Sequence, residues 1–317
     1  LWGFLPGFIN VPALALPMLG MGSRNLLKGL SSELLLEMEG MAEGAGLPFD
    51  GLWLLQNAPL YNDFPDKSPL YAAPICTMFA VTGERAGAEG IMVGRNLDWA
   101  LQEEAVVTRV CPEKGHAFVQ AGFPWNAGLF TAMNGDGLVL CMERLRPCTE
   151  ALPEKSPPEF ILRDLIQRAN SFTEAVDALK ALDHIRDVHV LVAGFDKDKP
   201  RAVVVELGAK PVVREEEFGI LLGVTPDNAA ALETTRTRYA TLKQHLDSQP
   251  EEWREDLQQL LTGGGLPASE GIQHIWNSQT RHSTVMLPAT RTLYIAFPSD
   301  SGIAGRFTAV TVAGEES

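Results

Sequence analysis

The chain has 317 residues, of which 45% are hydrophobic and 21% are charged. This composition is typical of a globular protein and excludes disorder or a coiled coil as a description of the whole chain. The 26 basic and 40 acidic residues give a net charge of −14. This argues against a nucleic-acid partner, because binding to phosphates needs clustered Lys and Arg. The four cysteines form no CxxC pair and the histidines no HExxH motif, so we expect neither a metal site nor another cofactor.

The first 23 residues contain no charged side chain. Pro6, Pro12 and Pro17 interrupt this stretch, so a regular membrane-spanning helix is not expected. We interpret residues 1–23 as an apolar arm packed on the core. The alternative is a surface that contacts lipid or an amphiphilic substrate. Export to the periplasm or outside the cell, with a signal removed before Leu1, is an expectation about location.

The predicted elements change in character at residue 76. Helical patterns precede a proline-rich segment at 59–75, and short strand patterns with turns follow it. The Asn-Gly and Asp-Gly steps within 133–138 predict a tight hairpin. The predicted helices are 31–46, 49–58, two within 158–183, 234–246 and 251–261, and the predicted strands are 76–83, 90–99, four between 105 and 145, 189–197, 201–208, 218–225, 282–288 and 291–298.

This order of elements predicts an α+β protein with mostly antiparallel sheets, because neighbouring strands are joined by hairpin-like turns. The nucleotide-binding patterns GxGxxG and GxxxxGK[ST] do not occur in the chain. The GxSxG pattern of the α/β-hydrolases is also missing.

Cys76 opens the first strong strand, and Arg95 and Asp98 lie on the predicted neighbouring strand. An arginine near a cysteine favours the thiolate, which is the nucleophilic form. Asp98 can accept hydrogen bonds from a cationic group. The alternative is that Cys76 is a small buried hydrophobic residue and that Arg95 and Asp98 form a structural ion pair.

The motifs CTMFAVTG and GRNLDW resemble those of N-terminal-nucleophile hydrolases related to choloylglycine hydrolases. Within that group the chain is most similar to the acyl-CoA:6-aminopenicillanate acyltransferase-like (peptidase C45-like) proteins, with acid ceramidase-like relatives. Further similar segments occur in the same order and extend the resemblance over residues 30–300. The resemblance implies a four-layer αββα sandwich. It also implies a precursor that cleaves itself between Ile75 and Cys76.

Such cleavage would leave a helical segment with the apolar arm, residues 1–75, and a catalytic segment, residues 76–317, within one structural domain. The freed α-amine has an unperturbed pKa of about 7.7–8.0 and can act as a base on the same residue as the thiol. The resemblance implies that Cys76 attacks an amide or thioester carbonyl and forms an acyl-enzyme. It further implies that Arg95 and Asp98 support the cysteine and its amine.

The resemblance also implies substrate-binding residues. Glu143 matches an acidic site residue of ceramidase-like members, Asn134 lies in a hairpin typical of the family, and Trp99 ends the GRNLDW motif. Relatives often carry an Asn that serves the oxyanion where this chain has Met142.

A second departure from the family lies at residues 225–228, where a Thr-Asn-His pattern is replaced by Thr-Pro-Asp-Asn. Pro226 has no N–H to donate, so Asp227 or Asn228 could serve as oxyanion donor, and Asn228 is the better donor. A further family arginine matches Arg236 or Arg238, and we favour Arg238 slightly. The alternative for both arginines is a solvated helix face.

Two hypotheses about function follow. The first is a self-processing cysteine hydrolase or acyltransferase that acts on linear amides of small N-acyl compounds, including lipid amides at a membrane surface. The second is a catalytically weak or inactive relative that binds an acyl ligand or a partner protein. The replaced oxyanion positions, Met142 and Pro226, motivate the second hypothesis, because loss of one oxyanion donor costs about 10²–10³ in rate.

Overall fold

A computed structural model of the chain describes residues 24–56, 76–99, 104–144, 156–182, 185, 188–208, 210–223, 233–248, 253–269 and 274–313. The expectations for the apolar arm, for Ile75 and for Asn228 lie outside these residues.

The described residues contain two antiparallel sheets. One has six strands in the order β10-β1-β2-β11-β12-β13, and the other has seven in the order β3-β4-β5-β6-β7-β8-β9. The strands are β1 Thr77–Thr82, β2 Ile91–Asp98, β3 Val106–Val110, β4 Phe118–Gly122, β5 Thr131–Asn134, β6 Val139–Arg144, β7 Val188–Asp196, β8 Lys199–Leu207, β9 Val212–Glu215, β10 Ile220–Leu222, β11 Thr280–Leu287, β12 Thr292–Ala296 and β13 Thr308–Thr311.

The helices cover the outer faces of these sheets. Side chains of α3 and α4 pack on the seven-stranded sheet, and those of α5 and α6 pack on the six-stranded sheet. A third apolar cluster, including Val93, Leu191 and Met286, fills the space between the sheets. The helices are α1 Ser32–Ala45, α2 Phe49–Gln56, α3 Pro158–Arg168, α4 Phe172–Lys180, α5 Glu233–Asp247 and α6 Trp253–Leu261. The predicted αββα sandwich is confirmed.

Strands β1 and β2 are buried along their whole length, because a sheet covers one face and helices the other. Phe79 of β1 is paired directly with Gly94 of β2. A Cβ atom on Gly94 would lie closer than 3.0 Å to the Phe79 ring. The glycine of the GRNLDW motif therefore makes room for a phenylalanine on the neighbouring strand.

The N-terminal helices pack against the rest of the fold through α3. Ser31 caps α1 by accepting a hydrogen bond from the Leu34 N–H at 3.2 Å, and its hydroxyl donates to Asp164 at 2.6 Å. Trp53 of α2 packs on Phe160 with 5.3 Å between the ring centroids. The segment before residue 76 thus has both polar and apolar contacts with the segment after it.

Candidate active site

Cys76 lies directly before β1, which pairs with β2 along its whole length. The register pairs Met78 with Arg95, so Arg95 and Cys76 are close neighbours across the two strands. Cys76 is 7% exposed and contacts the apolar cluster beneath α3 and α4. The hairpin formed by β1 and β2 thus brings together two of the residues that the sequence singled out.

The fully buried Arg95 guanidinium links Cys76 to the second sheet. Its Nη2 lies 3.4 Å from Cys76 Sγ and also donates to the carbonyl oxygen of Met142 at 2.6 Å. Its Nη1 lies 3.7 Å from Met78 Sδ. Met142 belongs to β6, so Arg95 ties the six-stranded sheet to the seven-stranded sheet at the thiol. The Met142 side chain belongs to the same apolar cluster as Cys76, beneath α3 and α4.

The environment of Cys76 favours the neutral thiol. Burial raises its pKa to about 11, Arg95 opposes this rise, and the carboxylates of Glu143 and Asp98 add to it. The thiol lies 3.9 Å from the carbonyl oxygen of Asp98, to which it can donate. A nucleophilic Cys76 therefore needs a base that removes its proton at the moment of attack.

Asp98 is held by three donors behind the thiol. Its Oδ1 accepts from the Thr280 hydroxyl at 2.8 Å, and its Oδ2 accepts from Asn277 Nδ2 at 2.9 Å. Arg238 Nη1 lies 2.7 Å from the same Oδ2. These three donors hold the buried carboxylate in a fixed orientation.

The structure brings Arg238, rather than Arg236, to the site. Arg238 is 3% exposed and also lies 3.3 Å from the hydroxyl of Thr77, the residue after Cys76. Arg236 is exposed on the same helix. The alternative of a solvated helix face therefore does not hold for Arg238.

Glu143 of β6 lies in the same electrostatic environment. It is 1% exposed, and within the described residues neither carboxylate oxygen has a hydrogen-bond partner. Burial raises its pKa to about 8, although the positive charges of Arg95 and Arg238 oppose this rise. At neutral pH its carboxyl group is therefore mainly protonated, and it can donate a hydrogen bond.

Trp99 belongs to an aromatic cluster beside the thiol. Its ring lies 5.2 Å from that of Phe123 and 5.9 Å from that of Phe130, and Phe123 stacks on Trp125 at 5.6 Å. These rings pack with the apolar cluster that includes Cys76. The sequence interpretation included Trp99 but missed Phe123, Trp125 and Phe130, whose spacing indicates only strand and turn.

Asn134, expected to bind substrate, has a different role in the structure. Its Oδ1 accepts from the N–H groups of Asp136 and Leu138, both at 3.0 Å, and its Nδ2 donates to the carbonyl of Ile166 at 3.1 Å. It lies at the turn between β5 and β6, about 13 Å from Met142 at roughly 3.3 Å per strand residue. The side chain therefore stabilises the predicted hairpin and does not approach Cys76.

The described residues lack two features that would point to other functions. No group of three or more His, Cys, Asp or Glu side chains is arranged to hold a metal ion there. In the same part of the chain, none of the helices has the length and apolar character needed to span a membrane.

Residues 85–301 match a known family, the acyl-coenzyme A:6-aminopenicillanic acid acyl-transferases. The match covers more than half of the chain and includes Arg95, Asp98, Glu143 and Arg238. The chain belongs to this family. The resemblance to N-terminal-nucleophile hydrolases of this group is thereby confirmed, and the family places the chain among amide hydrolases and acyltransferases.

Solved structures agree on the fold. The Caenorhabditis elegans N-acylethanolamine-hydrolyzing acid amidase ortholog has a TM-score of 0.51 and 19% identity, covering 68% of this chain and 93% of that one. Penicillin V acylase from Agrobacterium tumefaciens has a TM-score of 0.50 and 14% identity, covering 72% and 84%. A variant of conjugated bile acid hydrolase from Clostridium perfringens has a TM-score of 0.50 and 14% identity, covering 76% and 94%.

A curated relative from Archaeoglobus fulgidus, described as an uncharacterized protein, is 24% identical over 210 residues. The match covers 60% of this chain and 35% of that protein. The chain thus matches about a third of the length of this relative.

Proposed function

We propose that the protein is a cysteine N-terminal-nucleophile hydrolase or acyltransferase that acts on linear amides of N-acyl compounds. Cys76 carries the acyl group, and cleavage between Ile75 and Cys76 activates the precursor. The observation that carries this proposal is the 3.4 Å contact between Arg95 Nη2 and Cys76 Sγ, backed by the buried ion pair of Asp98 and Arg238.

The freed α-amine of Cys76 supplies the base that the buried thiol needs. It takes the proton from Sγ as the sulfur attacks the substrate carbonyl, and the carbonyl electron pair moves to oxygen to form a tetrahedral oxyanion. When this intermediate collapses, the C–N bond breaks and the ammonium proton passes to the leaving amine. A thioester on Cys76 remains.

Water or a second amine then attacks the thioester. The α-amine accepts a proton from the attacking group, the C–S bond breaks, and the sulfur is reprotonated by the ammonium. Arg95 stabilises negative charge on the sulfur in both halves of the reaction, because its guanidinium is always protonated. Asn228 is the proposed oxyanion donor.

The surrounding side chains suit a substrate with an apolar acyl group. The cluster of Trp99, Phe123, Trp125 and Phe130 provides aromatic surface beside Cys76 and is proposed to contact the acyl chain. Glu143, neutral at pH 7, is proposed to donate a hydrogen bond to a polar group of the substrate. Hydrolysis of N-acylethanolamine, penicillin V and conjugated bile acid by similar folds supports an N-acyl substrate.

The decisive experiment is the intact mass of the purified chain beside that of Cys76→Ala. We expect the wild type to give pieces of 75 and 242 residues, since 317 − 75 = 242, and the variant to stay whole. Incubation of the cleaved protein with an N-acyl p-nitroanilide should then add one acyl mass to the larger piece. A Cys76→Ala protein that is cleaved and releases p-nitroaniline at the wild-type rate would refute the proposal.

A second candidate function rests on Pro226 and Met142, which replace family positions that serve the oxyanion. A relative without these donors would bind an N-acyl ligand without turning it over. The same experiment separates the two functions. A binding protein would stay uncut and form no acyl-enzyme, while the N-acyl probe would still raise its melting temperature.

A further inference from the structure

The end of β10 is held by polar contacts that the proposed chemistry does not use. Arg214 of β9 donates from Nη1 to the carbonyl of Leu222 at 2.6 Å and from Nη2 to the carbonyl of Gly223 at 2.7 Å. Its Nε donates to Glu206 at 3.1 Å. One guanidinium from the seven-stranded sheet thus binds two consecutive carbonyls at an edge of the six-stranded sheet.

His189 of β7 adds another contact to the same carbonyl. Its Nδ1 lies 3.2 Å from the Gly223 oxygen, and because a carbonyl can only accept, Nδ1 must carry the proton. His189 is buried and is paired with Glu143 on one side and with Glu206 on the other. These three residues form a row across the sheet, so His189 is the cross-strand neighbour of Glu143.

Gly223 is packed closely against β1, the strand that directly follows Cys76. Its N–H donates to the carbonyl of Met78 at 2.8 Å. A Cβ atom at this position would lie within 3.0 Å of both the backbone and the side chain of Met78. Arg214 and His189 therefore hold a residue that is bonded to Met78, and Met78 lies two residues after Cys76 in the chain.

We propose that Arg214 and His189 are positioning residues that clamp the end of β10 onto β1 beside Cys76. The proposal rests on the proposed function for its catalytic consequence. Strand β10 has three residues and lies at the edge of its sheet, so among the described strands β1 is its one hydrogen-bonded neighbour. The contacts from Arg214 and His189 on the opposite sheet restrain β10 as a second neighbouring strand would.

An arginine suits this task because its planar fork can donate to two neighbouring acceptors at once. A lysine ammonium keeps the charge but cannot reproduce this geometry. Glu206 fixes the orientation of the fork. The charge of Arg214 also opposes the rise in the pKa of Glu143.

The test compares Arg214→Lys with Arg201→Lys. Arg201 pairs at 3.4 Å with Glu215 between the same two strands, β8 and β9, but on the exposed surface. For Arg214→Lys we expect kcat to fall about 10²-fold, the cost of a shift of about 1 Å in a catalytic group, with KM unchanged within about twofold. Arg201→Lys should match the wild type.

In the same assay His189→Asn, which keeps a donor, should retain more activity than His189→Leu.

Hydrogen exchange at residues 218–223 tests the clamp without relying on activity. Arg214→Lys should speed exchange of the Gly223 amide about tenfold or more, and Arg201→Lys should not. Equal exchange in the two variants would overturn the clamp, and faster exchange with a wild-type kcat would overturn its positioning role. If the wild type forms no acyl-enzyme, the proposed function fails, and the exchange experiment still decides whether the clamp exists.

Discussion

The buried side chain of Arg95 contacts a thiol, a thioether and a backbone carbonyl of the opposite sheet. Its positive charge lies within contact distance of Cys76, where burial strongly disfavours the thiolate. The reactivity of this cysteine therefore depends on a balance between desolvation and one guanidinium.

Replacing Arg95 with Leu should make Cys76 less reactive. The guanidinium lowers the thiol pKa against the effect of burial, so its loss should raise that pKa by about one unit or more, which corresponds to a tenfold or greater loss of thiolate. Alkylation of Cys76 by iodoacetamide across pH 7–10, followed by peptide mass, measures this shift. The exposed Arg201→Leu is the control. Equal alkylation profiles for both variants would show that Arg95 does not tune the thiol.

Glu143 should make the fold less stable as the pH rises. Burial raises its folded pKa from 4.5 to about 8, so stability is fully present below pH 4.5 and declines as the pH approaches 8. Glu143→Gln removes this dependence. In urea unfolding the variant should gain in stability over the wild type between pH 4.5 and 8. A wild-type advantage that grows toward pH 8 would contradict the assignment.

His282 should have the opposite effect on pH dependence. Burial lowers its pKa from 6.5 to about 3, and the charge of Arg95 adds to this. Its ring nitrogens have no hydrogen-bond partner within the described residues. Stability should therefore be lost as the pH falls from 6.5 toward 3. The free energy of unfolding of His282→Leu should fall less between pH 6.5 and 3 than that of the wild type. An equal fall in both proteins would exclude His282 as the source of the acid sensitivity.

At the level of elements, the hairpin of β1 and β2 carries the site and depends on close packing across the strands. Phe79 occupies the space that a side chain at Gly94 would need. Since both strands are buried on both faces, neither can move outward to relieve a clash.

Gly94→Ala should destabilise the protein by about 1–3 kcal/mol, the usual cost of overpacking a core. Gly40→Ala is the matched control, because Gly40 lies in α1 and a Cβ atom there meets nothing within 4 Å. That substitution should stabilise by about 0.5–1 kcal/mol, the helix preference of Ala over Gly. Thermal unfolding of both variants measures the difference, and equal effects would rule out the packing argument.

For the whole molecule, the site lies where the two sheets meet. Arg95 and Asp98 come from the six-stranded sheet, which Cys76 directly precedes, while Met142 and Glu143 come from the seven-stranded sheet. A hydrogen bond from Arg95 to the Met142 carbonyl crosses between them at the thiol. The alignment of the sheets therefore controls the electrostatics of the nucleophile.

The sequence predicted most of this architecture, because strong apolar runs mark β1, β2, β7 and β8 and the helical segments show helical apolar patterns. It missed β9 and β13, which have four residues each, lie at sheet edges and are partly exposed. In such short, partly exposed strands the alternation of apolar and polar residues is too brief to predict a strand.

Within the site, the motif residues Cys76, Arg95 and Asp98 were predictable because they lie close together in the chain. Asn277 and Thr280 were not, since they reach Asp98 from about 180 positions away, and nothing local distinguishes them from ordinary turn residues. Asn134 was predicted to bind substrate, and in the structure its amide holds the turn between β5 and β6. The same amide can bind a ligand or hold a turn, and the local sequence does not separate the two roles.

Cleavage of the chain would change the role of the contacts between α1 and α3. Ser31 with Asp164, Glu37 with Arg163 and Glu33 with Gln167 join the two sides of the proposed cleavage point. In the precursor these contacts are intramolecular, but after cleavage they hold together two separate polypeptides. Unfolding then becomes a dissociation and obeys mass action. The melting temperature of the cleaved protein should rise with protein concentration, whereas that of uncut Cys76→Ala should not.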